Sequence, residues 1–161
     1  MPMMTDAAQE AAVKSFKQKK NKPKTQNSFF TPKEVAKLVN ISYRQIQYWD
    51  KTRFIWPSCR RRGKYRLYTF ADLILLKLAR VLRDYDFSIQ RLRKTVEQIK
   101  KLLAKASCTL IEITFVIYGD CVLMFNGDMV LMNSLKGENC IIFSARSLWA
   151  EVNEKFPWKE A

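Results

Sequence analysis

Two clusters of side chains in this sequence have the types and spacing to do chemistry. The first is Ser42, Tyr43, Arg44, Gln47 and Tyr48; the second is Arg60, Arg61, Arg62, Lys64, Tyr65 and Arg66. Guanidinium and amide groups make paired hydrogen bonds to base edges. Lysine, tyrosine and arginine reach phosphate oxygens. Neither cluster sets a nucleophile beside a base. The chain has no histidine, so the commonest general base and the commonest nitrogen metal ligand are missing. Cys59, Cys108, Cys121 and Cys140 are widely spaced, with no C-x-x-C pair. They read as free thiols rather than a metal site. There is no glycine-rich phosphate loop. The expectation is a binding protein and not an enzyme, with no metal and no cofactor.

The charge distribution names the class of partner. The net charge is +14 over 161 residues, and it is segregated. Residues 1–106 hold 25 Lys/Arg against 8 Asp/Glu, whereas residues 107–161 hold 4 against 7. A one-sided surplus of this kind marks a face for a polyanion, with nucleic acid ahead of an anionic membrane. No apolar run is long enough to span a bilayer, and the first residues lack the apolar core and cleavage site of a secretory signal. The expected location is the cytoplasm, in association with the nucleoid.

The elements that must hold these clusters follow from capping signals. Thr31, Pro32 and Glu34 form the start of a helix that buries Val35 and Leu38 and ends at Asn40. Ser42 with Gln45 starts a second helix, from Tyr43 to Lys51. Its Ile46 and Trp49 face inward and its Arg44, Gln47 and Lys51 face outward. This is the helix-turn-helix arrangement, in which the N-terminal part of the second helix meets base edges. The segment SCRRRGKYRLY then reads as a two-stranded hairpin turning at Gly63, a basic wing for phosphates. Thr69 with Asp72 caps a third helix, with Leu73, Leu76, Leu78, Val81 and Leu82 inside. Asp84-Tyr85-Asp86 breaks it. Ser88 caps a fourth, with Ile89, Leu92, Val96, Ile99 and Leu103 on one stripe. That stripe packs on the first three helices or forms a short dimer seam; the sequence leaves both open.

From Thr109 the apolar period changes from helical to alternating. TLIEITFVI, CVLMF, MVLM and CIIFS read as strands, with turns at Gly119-Asp120 and Asn126-Gly127. Leu148, Val152 and Phe156 mark a closing helix. Both faces of these strands are apolar, so the sheet needs cover twice. The closing helix supplies one cover. The same sheet of another subunit is favoured for the second over the helical domain. A small-molecule pocket is the alternative use of this half. The fold class is therefore α+β: a winged helix-turn-helix four-helix domain, then a small antiparallel β-meander with a C-terminal helix. The expected boundaries are a disordered basic tail at 1–27, the DNA-binding domain at 28–106, and a β-rich dimerisation or partner domain at 107–161. The tail is either a solvated linker or an arm adding phosphate contacts.

The order of these parts resembles the DNA-binding domain of the MerR family of bacterial transcription regulators. The resemblance rests on T-x-x-E-V-A-K-L from Thr31, S-x-R-x-I-x-Y-W from Ser42, and G-x-Y-R-x-Y from Gly63. Asp72-Leu73 and Phe87-Ser88-Ile89 add to it. It implies that Tyr43, Arg44 and Gln47 face the major groove and that Tyr48 reaches a phosphate. It also places Arg60, Arg61, Arg62, Lys64, Tyr65 and Arg66 in the wing. The family often has a second arginine where Gln47 stands, and a glutamine suits adenine where arginine suits guanine. Family members dimerise through a long helix after the fourth one, and this sequence has no such helix. The leading expectation is a sequence-specific regulator, a homodimer through residues 107–161 on double-stranded DNA with two half-sites. An architectural or excisionase-like DNA-binding accessory protein is the alternative, as is an adaptor whose β-half binds a protein partner or a small effector.

Overall fold

The computed structural model describes residues 28–61, 65–126 and 140–157. Helix α1 (Pro32–Val39) begins where the sequence signals it. The Thr31 hydroxyl accepts from the Glu34 N–H, and the Glu34 carboxylate accepts from the Thr31 N–H. It ends at Asn40, which takes the left-handed conformation at φ 57° that asparagine tolerates better than most residues. Helix α2 (Tyr43–Lys51) starts under the Ser42 hydroxyl, 3.1 Å from the Gln45 N–H. Strands β1 (Cys59–Arg61) and β2 (Tyr65–Leu67) pair antiparallel, with Arg60 opposite Arg66. The hairpin does not stand alone. Phe30, just ahead of α1, pairs with Tyr68 through two backbone hydrogen bonds of 2.8 and 2.9 Å, and both side chains are fully buried.

Helices α3 (Phe70–Asp84) and α4 (Ile89–Lys105) follow, capped by Thr69 and Ser88 as their sequence predicts. The α3 surface is apolar nearly all round, because Ile74, Leu75 and Ala79 are buried in addition to Leu73, Leu76, Leu78 and Leu82. A helix of this kind must be covered on more than one side. The cover is α5 (Ala145–Lys155), whose Trp149 meets Phe70 edge-on at 5.3 Å and whose Glu151 pairs with Lys77 at 3.2 Å. The same helix reaches α1, where Lys155 Nζ donates to the Lys37 carbonyl at 3.1 Å. The stripe on α4 packs within the chain at Leu92, Val96 and Ile99, although Ile89 at its start remains exposed.

The β-half departs from the expected meander. Leu110–Glu112 is a short 3-10 turn rather than strand, and β3 spans Ile113–Tyr118. β4 (Cys121–Asn126) and β5 (Ile141–Ser144) both pair antiparallel with β3, giving the order β4-β3-β5. The last strand therefore returns to the first. The reason lies in burial: Ile113 to Ile117 are all buried, and a strand this apolar is best shielded in the centre of the sheet, with a strand on each edge. The Asn126-Gly127 turn and the MVLM run fall outside the described residues, as does the tail at 1–27.

One sheet face carries Ile113, Phe115, Ile117, Val122, Met124, Ile141 and Phe143, and it joins the same apolar cluster as the helices. The cover on this face comes from α4 and α5 together. The opposite face carries Thr114, Val116, Tyr118, Leu123 and Ile142, of which Tyr118, Leu123 and Ile142 are exposed.

Candidate nucleic-acid interface

Helix α2 divides cleanly by its 3.6-residue period. Ile46 and Trp49 are buried and anchor it, with Trp49 packed edge-on against Phe54 at 5.3 Å. Tyr43, Arg44 and Tyr48 are exposed, Tyr48 to 59%, and Gln47 is half-buried between them. The helix N-terminus therefore presents Ser42, Tyr43, Arg44 and Gln47 outward, as its sequence predicts. The macrodipole adds partial positive charge at that end.

Two carboxylates hold the hairpin, one of them against this helix. Asp50, on the buried side of α2, accepts from Arg66 Nε at 2.5 Å, and its side chain is only 3% exposed against 27% for Arg66. Asp72 accepts from the Ser58 N–H at 2.9 Å, the Ser58 hydroxyl at 2.6 Å and the Thr69 N–H at 2.9 Å. It thus ties the strand entering the hairpin to the residue leaving it. Of the hairpin residues predicted to bind phosphate, Arg66 is engaged in holding the hairpin to α2. Arg60, Arg61 and Tyr65 are placed on the paired strands, and Arg62 and Lys64 lie outside the described residues.

Other cations join this surface without a motif to announce them. A groove beside the start of α2 is lined by Thr31, Lys33, Lys37, Tyr43 and Arg66. Lys33 and Lys37 stand one turn apart on the exposed side of α1. That spacing is visible in the sequence, but only the fold sets it next to Tyr43. Beyond α2, Arg53 is exposed and has φ 57°, a conformation costly for a residue with a long side chain. Lys100 of α4 donates to the Phe54 carbonyl at 2.9 Å and sits 4.0 Å from the Trp56 ring centroid. Burial lowers its pKa from the ordinary lysine value, while Glu97 and Asp72 act in the opposite direction.

Residues 30–105 match the model of the MerR HTH family regulatory proteins. This stretch is a MerR helix-turn-helix domain. The MerR match ends at the close of α4, where the alternating β-half begins. The chain is similar to an uncharacterized HTH-type transcriptional regulator of Mycobacterium tuberculosis, at 34% identity over 69 residues, 41% of this chain and 31% of that protein. It is similar to heavy metal-dependent transcription regulator 2 of Rhizobium meliloti, at 37% over 71 residues, 44% of each chain. It is also similar to the HTH-type transcriptional regulator ZntR of Escherichia coli, at 34% over 61 residues, 38% of this chain and 43% of ZntR. The chain thus spans less than half the length of these relatives. Among the described residues, no group of three or more His, Cys, Asp or Glu side chains could hold a metal ion. No described helix is long and apolar enough to cross a membrane.

Proposed function

We propose that the chain is a sequence-specific DNA-binding transcription regulator whose MerR domain places α2 in the major groove. The observation that carries this reading is the exposed, polar N-terminal half of α2, held at a fixed angle to a basic hairpin by the Asp50–Arg66 pair. In this reading Tyr43, Arg44 and Gln47 meet base edges, Tyr48 and Ser42 lie by the phosphates, and the hairpin is a wing. Arg60, Arg61, Arg62, Lys64 and Tyr65 of that wing supply the sequence-independent part of the affinity. Arg66 serves the wing by orienting it. Lys33 and Lys37 contact the strand on the other flank of α2. The DNA-binding unit is residues 28–106 and the β-half is residues 107–161.

The second copy that a two-half-site operator requires docks on the outer sheet face. Tyr118, Leu123 and Ile142 are exposed there beside buried Val116, and strands facing another sheet are the usual reason for such an apolar set. Selection of duplexes from a random pool by the full chain, followed by footprinting, tests the reading. It expects an enriched motif repeated at about one helical turn or a multiple of it. Enrichment of no sequence, with uniform protection along the duplex, would instead fit an architectural binder.

A further inference from the structure

A cleft of about 270 Å³ lies between α2 and the start of α4. Its walls are Tyr48, Trp49, Phe54 and Phe87, and its rim carries Arg83 and Arg93. Among the described residues neither guanidinium forms an ion pair. Arg93 instead lies over the Phe54 ring, 5.4 Å from its centroid. No acidic side chain lines the cleft. Ile89, beside it, is 73% exposed although Leu92, Val96 and Ile99 on the same stripe are buried.

We propose that this cleft binds a small amphipathic organic anion, an aromatic carboxylate, with its ring between Trp49 and Phe87 and its carboxylate on Arg83 and Arg93. The volume suits such a molecule, since an apolar cavity of about 150 Å³ already accepts benzene. The aromatic walls gain only from a ligand with an apolar body, so a bare inorganic anion would leave them wet. The two unpaired cations gain only from an anion, and guanidinium matches carboxylate in paired hydrogen bonds. One molecule carrying both parts satisfies both demands.

The site touches both sides of α2, at the buried Trp49 and the exposed Tyr48. The consequence for DNA rests on the proposed function: an anion held beside Tyr48 competes with a phosphate there, and DNA weakens ligand binding by the same factor. Binding itself is tested on the full chain without DNA, so failure of the DNA reading would leave this test intact. The probe is 2-naphthoate, followed by nuclear magnetic resonance at the Trp49 indole N–H, which is assigned by its loss in Trp49→Phe. The expected result is a saturable shift, with the neutral 2-naphthalenemethanol at least about tenfold weaker. Arg83→Gln with Arg93→Gln is expected to weaken 2-naphthoate by about tenfold or more, the usual loss for hydrogen bonds to a charged group. Both arginines are exposed, so this variant keeps its fold, which circular dichroism checks. A missing or non-saturable shift, equal binding of the neutral analogue, or unchanged binding by the double variant would overturn the proposal.

Discussion

Removing either partner of the Asp50–Arg66 pair should have unequal effects, and the inequality can be worked from exposure. Asp50 is 3% exposed and Arg66 27%. In Arg66→Met the carboxylate stays behind in a nearly dry site without the Arg66 guanidinium. In Asp50→Asn the guanidinium stays behind, and it can turn toward solvent. Breaking a fully buried pair costs about 3–5 kcal/mol, most of it the stranded charge. Partial exposure of Arg66 reduces this, so Arg66→Met should cost about 2–3 kcal/mol and Asp50→Asn about 1–2 kcal/mol. In a chain of this size each kcal/mol is worth roughly 2–4 °C in melting temperature. The double variant Asp50→Asn/Arg66→Met should recover part of the loss, because neither of the two charges is then present without the other. Thermal and urea denaturation followed by circular dichroism measures all four corners of this cycle. Equal costs for the two single variants, or additive costs in the double, would refute the assignment of this pair as a buried brace between α2 and the hairpin.

Other perturbations separate the remaining roles. Asp72→Ala removes the acceptor of three hydrogen bonds around the base of the hairpin, and chemical denaturation should show a loss of about 2–4 kcal/mol. Arg53→Gly relieves a left-handed backbone conformation and should leave stability unchanged or raise it by up to about 1 kcal/mol, by thermal melting. Replacing Lys33 and Lys37 with alanine should weaken binding to every DNA sequence and lower the salt slope by about one unit per lost phosphate contact, whereas Arg44→Ala should alter the preferred sequence. Leu123→Glu places a charge on the outer sheet face and should convert a dimer to a monomer in light scattering, with the helical signal unchanged.

The legible parts of this fold are the ones written locally. Thr31, Ser42, Thr69 and Ser88 each begin a helix because a hydroxyl meets an N–H three residues on, and that relation is contained in a short stretch of sequence. The inward and outward sides of α2 follow from spacing alone. Relations made across distance are less visible. Both faces of α3 are buried because α5 returns from the end of the chain, and its periodicity alone marks only one face. Among the described strands β5 pairs with β3 and not with β4, since the most apolar strand takes the centre. Arg66 sits in a basic run that reads as phosphate-binding, and only the structure reveals Asp50 beneath it. The cleft beside Tyr48 has no sequence signal, because its walls come from α2, the turn after it and the turn before α4, which only the fold brings together.

The central claim is that α2 reads bases, and a change at Gln47 tests it most directly. Gln47 lies half-buried between Arg44 and Tyr48 on the side of α2 that carries the exposed polar groups. A glutamine amide pairs with adenine N6 and N7, and a guanidinium pairs with guanine O6 and N7. Duplex selection should be run with the full chain and with Gln47→Arg under the same salt. The account predicts that one position in each half-site changes from adenine to guanine while its flanks stay as they were. An unchanged motif at undiminished affinity would contradict it, and would place the reading element elsewhere on the molecule.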